Sequence, residues 1–119
     1  MIFPVRKMGI EGVKLSFKSI ENCDVLEIEL GKPIEPSVLA KLDNMEFRKF
    51  LLDHQTGDVL VISGRAPIWL YCFLLHETMH LWKAVATFDP KVGGAIIVGS
   101  HTPKYGIGDI IHIGGEALW

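Results

Sequence analysis

Two cysteines, Cys23 and Cys72, are too few for a disulfide framework in a 119-residue chain. Both read most simply as small buried hydrophobes in a reducing cytoplasm. The opening Met1–Gly12 has no apolar core of a signal peptide. The eleven-residue uncharged run between Arg65 and Glu77 falls well short of the ~20 residues that span a bilayer. No strong excess of either charge is present. Twelve Lys and Arg stand against fourteen Asp and Glu, a formal charge of −2. That balance excludes a broad basic groove for long DNA or RNA. With 49% apolar and 22% charged residues, the chain can bury a core and is not a disordered tail.

The charge is uneven. Residues 1–50 carry eight basic and eight acidic side chains, whereas residues 51–119 carry four basic, six acidic and all five histidines. Val13–Ile20 and Val25–Leu30 alternate apolar and polar residues, which predicts two half-buried strands joined as a hairpin at Glu21-Asn22. Ser37–Leu42 reads as a short helix. Residues 43–57 allow a second short helix or an irregular connection. Asp58–Ser63 is a continuous apolar run and predicts a strand buried on both faces. Pro67 suits a helix start, and Ile68–Trp82 contains no breaker, so a long buried helix is expected. Strands at Lys83–Phe88 and Ala95–Val98 flank the turn Asp89–Gly94. A last strand falls within Ile107–Ile113, with its exit at Gly114-Gly115. No repeat or linker interrupts the pattern, and the expected fold is one α/β domain over residues 1–119.

Three places could carry chemistry. At Ser63-Gly64-Arg65 a buried strand ends, a glycine permits a sharp turn and a helix begins with unpaired amides. The carboxyl edge of an open α/β sheet is where ligands usually bind, and a helix N-terminus favours anions. An ordinary turn with a solvated arginine explains the same residues. His76-Glu77-Thr78-Met79-His80 is a literal H-E-x-x-H, the zinc-binding pattern of metallohydrolases, although it lacks a third ligand. On a helix through Trp82, both histidines would share one side, at the end opposite Arg65. Asp89-Pro90-Lys91 could hold a hard cation or a phosphate, and is equally plain turn chemistry. Ser100-His101-Thr102 adds an imidazole between hydroxyls. His54 and His112 have no suggestive neighbours. Trp69, Phe73 and Trp82 read as core or subunit interface.

Leu60-Val61-Ile62-Ser63-Gly64-Arg65, Pro67-Ile68-Trp69-Leu70, Cys72-Phe73-Leu74, His76, His80, Asp89-Pro90 and Ser100-His101 together resemble one family. It is the small CRISPR-associated proteins of type III systems that act as ring nucleases on cyclic oligoadenylate messengers. The likeness covers about residues 58–113, and the first half matches more loosely. The resemblance implies a Rossmann-like fold related to CRISPR-associated sensor domains. It implies homodimers that bind cyclic tetra-adenylate or a short RNA and cut it with Mn²⁺, two dimers enclosing the ligand and completing the site. His80, Asp89 and Lys91 then take catalytic places, with Asp89 and His80 at the metal. Ser63, Gly64, Arg65, His76 and His101 take ligand-binding places. The family tends to carry arginine where Lys91 stands, so the charge is kept and the bidentate fork lost. Glu77 is not fixed in the family, which undercuts the zinc-hydrolase alternative. A non-catalytic sensor of the same ligand is the other alternative. Cleavage by the ribose 2′-hydroxyl and by activated water both remain open.

Overall fold

The computed structural model describes residues 7–113. Three antiparallel strands open the chain: β1 (Lys7–Ile10), β2 (Val13–Ile20) and β3 (Cys23–Leu30). Two-residue turns join them. Glu11 and Gly12 both have positive φ, the twist that matches a tight hairpin. The short β1 was not foreseen, because four residues with two apolar positions carry almost no period. Two small helices follow, α1 (Val38–Leu42) and α2 (Met45–Asp53). The ambiguous stretch is therefore helical, started by Asn44, whose side chain accepts from the Phe47 amide at 2.9 Å.

β4 (Val59–Ser63) then lies parallel to β3, and α3 (Ile68–Thr78) crosses over to β5 (Ala84–Asp89), parallel to β4. β6 (Gly94–Ser100) and β7 (Ile110–Ile111) complete the sheet antiparallel. The expected exit at Gly114-Gly115 lies outside the described residues. The seven strands stand in chain order. Both crossovers move the same way along the sheet, and all three helices contribute to one apolar cluster on one face. A doubly wound sheet reverses direction and carries helices on both faces; here the winding runs one way.

β4 is buried throughout, as its composition predicts. Leu60 and Ile62 lie under the helices, while Val59 and Val61 join Cys23, Val25, Ala84 and Ala86 on the other face. Tyr105, Ile111 and Ile113, from the chain after β6, cover part of that second face. α3 departs from expectation twice. It stops at Thr78, not Trp82; the Thr78 hydroxyl donates to Leu74 O at 2.7 Å and the chain tightens with Leu81 N to Thr78 O at 2.9 Å. It is also only partly covered: Leu70, Leu74 and Thr78 are buried, whereas Ile68 is 82% exposed. Cys72 is exposed on it too, so only Cys23 is the buried thiol expected of both. No described helix is long and apolar enough to cross a membrane.

One carboxylate is buried among the described residues. Asp24, at the start of β3, is 2% exposed. Its Oδ2 accepts from Gly57 N at 2.7 Å, Thr56 N at 2.8 Å and Trp82 Nε1 at 2.8 Å, and its Oδ1 from the Thr56 hydroxyl. Burial alone would push this carboxyl up. The donors from Gly57, Thr56 and Trp82 outweigh that and hold its pKa below the usual aspartate value. Gly57 has no alternative here, since a Cβ would stand 2.5 Å from Asn22 O.

A group whose pKa is depressed by folding stabilises above its unfolded pKa of about 3.9 and loses that contribution as pH falls towards the folded value. Asp24→Asn should therefore cost about 1–3 kcal/mol at pH 7. The gap from wild type should stay constant down to about pH 5 and narrow below pH 4. Urea melts of both proteins across that range check it.

Candidate functional site

Two edges of the sheet carry the candidate residues. At the carboxyl edge, β4 ends in Ser63 and turns through Gly64, whose φ is +128°. A Cβ on Gly64 would stand 2.2 Å from Ile28 O and 2.9 Å from Ile28 N. The loop thus touches the β3 backbone, and only glycine fits. The Tyr71 hydroxyl, one turn into α3, donates to Gly64 O at 2.6 Å; burial pushes that phenol up to about 12. Pro67 caps α3 without a side-chain hydrogen bond, so the first helix amides stay open to an anion. Arg65 is exposed, and its guanidinium has no ion-pair partner among the described residues. A cleft of about 560 Å³ opens here, lined in part by Ser16, Glu27, Ser63, Gly64 and Arg65.

β5 runs parallel to β4, with Ile62 opposite Thr87, so Gly64 and Asp89 leave the two strands at the same level. Asp89 Oδ1 accepts from Lys91 N at 2.8 Å and Val92 N at 3.4 Å. The carboxylate shapes its own turn, as Asp-Pro chemistry demands, and Oδ2 has no partner among the described residues. The Lys91 ammonium is exposed and likewise unpaired among them. Ser63, Gly64, Arg65, Asp89 and Lys91 thus share one edge.

His80 and His101 belong to the opposite edge, whereas His112, just after β7, stands at the Asp89 edge: a Cβ on Gly94, the β6 partner of Asp89, would lie 3.4 Å from His112 Nδ1. His80 lies beyond the end of α3, its ring 5.2 Å from that of His101 at 32°. His101 Nε2 bonds to Met79 O at 2.7 Å, which assigns the ring proton to that nitrogen. Its backbone amide donates to Lys83 O at 2.8 Å. Around the pair is a shallow depression of about 340 Å³, lined by Gln55, His80, Leu81, Trp82, Lys83 and His101. His76 is exposed on α3. α3 ends at Thr78, so His80 lies just beyond the helix that carries His76. Glu77 instead lies 3.8 Å from Arg48. No group of three or more His, Cys, Asp or Glu that could hold a metal occurs among the described residues. The H-E-x-x-H pattern is therefore not a closed zinc site.

His80 precedes β5 and Asp89 ends it, and the strand from Ala84 to Asp89 spans about 17 Å at 3.3 Å per residue. A free carboxylate oxygen and an imidazole are donors that Mn²⁺ accepts, but one chain does not bring Asp89 and His80 together. His54 is a core residue, stacked on Phe17 at 4.8 Å and bonded through Nδ1 to Phe50 O at 2.7 Å. The sequence reading missed Ser16 and Glu27 in the cleft. Their only signal is a polar place in the alternation of β2 and β3, which any solvent-facing strand residue shares.

A family model described as CRISPR-associated protein (Cas_csx3) matches residues 27–112 of the chain. An uncharacterized protein of Aquifex aeolicus (strain VF5) is 38% identical over 108 residues, which cover 90% of this chain and 94% of that protein.

The contact at Gly64 gives a sharp contrast with another glycine of positive φ. Gly93 has φ +75° and open space around it, so Gly93→Ala should cost only about 1–2 kcal/mol. Gly64→Ala should cost more than about 4 kcal/mol or leave no folded protein. Thermal melts of the two variants beside wild type measure the difference, and equal losses would contradict the contact.

Proposed function

The chain belongs to the Cas_csx3 family of CRISPR-associated proteins, and from that premise we propose that it is a ring nuclease of antiviral defence. It binds cyclic tetra-adenylate or a short oligoadenylate RNA in the cytoplasm and cuts the phosphodiester bonds that make it a messenger. The observation that carries the reading is the carboxyl-edge cleft. There a backbone-tight glycine turn, an uncapped eleven-residue helix and the unpaired Arg65 converge beside Asp89 and Lys91. Such an edge holds phosphate through amides and a guanidinium. Arg65 and Lys91 stand close together there, as a compact ring of four phosphates needs and a long polymer does not, while Glu27 and Glu29 also line the cleft.

In this reading Arg65 and the first amides of α3 bind the phosphates, and Lys91 neutralises charge that develops on the one being cut. His80 moves the proton, an imidazole being suited to general acid–base work, and His101 packs beside it. His80 reaches a bond held at the carboxyl edge only when it comes from another copy. The assembly is therefore a homodimer, with a second dimer closing over the ligand. Mn²⁺ belongs to the same reading, held between Asp89 of one chain and His80 of another, where it would add charge stabilisation at the phosphate. The separation of His80 and Asp89 also favours a second reading, a sensor that holds the ligand without cutting it.

Incubation with cyclic tetra-adenylate and Mn²⁺ should yield linear oligoadenylates. A ring that survives stoichiometric protein while still bound leaves the sensor, and a ring that is not bound removes both readings. His80→Ala and Asp89→Ala should each lower cleavage at least a hundredfold, the scale of a lost acid–base group. An equal mixture of the two should recover a sizeable fraction of wild-type rate, because sites pairing an intact Asp89 with an intact His80 form again. No recovery on mixing would rule out the composite site.

A further inference from the structure

On the face of the sheet away from the helices, Ser16, Glu27 and Ser63 form a row across β2, β3 and β4. Ser16 pairs with Glu27, and Glu27 pairs with Ser63. All three line the carboxyl-edge cleft. Ser63 is 0% exposed and its Oγ has no hydrogen-bond partner. Buried hydroxyls are almost always satisfied, so an orphan one at the foot of a cleft marks a place kept for a ligand. Glu27 is differently engaged. Its Oε1 lies 2.6 Å from Lys18 Nζ, and its Oε2 has no partner among the described residues.

A carboxylate within an anion-binding cleft needs a reason, because it repels the phosphate that Arg65 and the helix attract. Lys18 removes much of that repulsion, since its ammonium sits directly on Oε1. What remains is a free acceptor oxygen on the strand beside the orphan hydroxyl, the two paired backbones being one strand spacing, about 4.8 Å, apart. The pair suits a molecule that carries a phosphate and a hydrogen-bond donor close together. RNA does: the 2′-hydroxyl is on the sugar carbon next to the one bearing the 3′-phosphate. The amino groups of the bases are much further off, across the glycosidic bond. We propose that Glu27 Oε2 accepts a hydrogen bond from the ligand's ribose 2′-hydroxyl, with Ser63 at the adjoining phosphate, and so makes the cleft selective for RNA over DNA. This rests on the oligoadenylate reading above and goes beyond it in naming the atom by which the ligand is recognised.

The test is fluorescence anisotropy of the full chain with labelled linear tetra-adenylate, as RNA and as DNA. Wild type should prefer RNA by at least tenfold, the range of one hydrogen bond to a charged group. Glu27→Ala should bring the preference below threefold through weaker RNA binding, with DNA bound as before or tighter once Lys18 is released. Glu46→Ala, an exposed carboxylate on α2 away from this cleft, should keep the tenfold preference. A Glu27→Ala protein that still prefers RNA tenfold overturns the proposal, and so does a Glu46→Ala protein that loses the preference equally, because the effect would then be general charge. Equal binding of RNA and DNA by wild type overturns the role of Glu27 alone. Binding of neither removes the oligoadenylate reading and this inference together.

Discussion

A single buried carboxylate sets the geometry on which everything else in this protein hangs. Asp24 ties the start of β3 to the loop entering β4 and to Trp82, at the entrance to β5. The two connections that bring the chain back beneath the helices are thereby pinned to one strand end. Both parallel crossovers start from that fixed level. α3 must then span from Gly64 at one edge to Trp82 at the other, which delivers an uncapped helix start beside the β4 turn. The anion site is thus held in place from the far side of the sheet. Removing water from a carboxylate is costly, and three strong donors on one oxygen offset that cost.

Much of this architecture was legible in the residues. β2 and β3 alternate with period two, β4 is apolar without interruption, and β5 and β6 flank an Asp-Pro and Gly-Gly turn. Pro67 marked the start of α3 because its missing amide is harmless there. The end of α3 was not legible. No glycine or proline lies between Ile68 and Trp82; the helix yields because Trp82 is drawn to Asp24, a contact fifty-eight residues apart. Asp24 carried no signal, lying between the expected turn at Glu21-Asn22 and the expected strand from Val25, where Asp is an ordinary residue. Cys72 read as buried from its apolar neighbours, yet its side of α3 faces out. Composition reports hydrophobicity and not which partner arrives to cover it.

The candidate site divides the same way. Ser63, Gly64 and Arg65 were visible because strand, glycine and helix start follow one another directly. Asp89 and Lys91 were visible as a turn beside them. That His80 cannot reach Asp89 within one chain was implicit in the sequence, since the strand between them spans the whole sheet. Glu27 stayed hidden because its neighbours Ser16 and Ser63 are distant in sequence and meet only through register. A net charge of −2 describes the whole molecule poorly at this edge, where Arg65 and Lys91 stand unpaired beside open helix amides.

The seven strands stand in the order in which they are made. Each can therefore pair with the one before it as soon as it leaves the ribosome, with no gap held open for a later segment. Sheets that insert a late strand between early ones must wait for distant chain and pass through exposed, unpaired edges. Here the growing edge of the sheet moves with synthesis, and the Asp24–Trp82 bond is among the contacts that must wait for distant chain. Folding should proceed as a zipper from the N-terminal hairpins, locked late by that one indole.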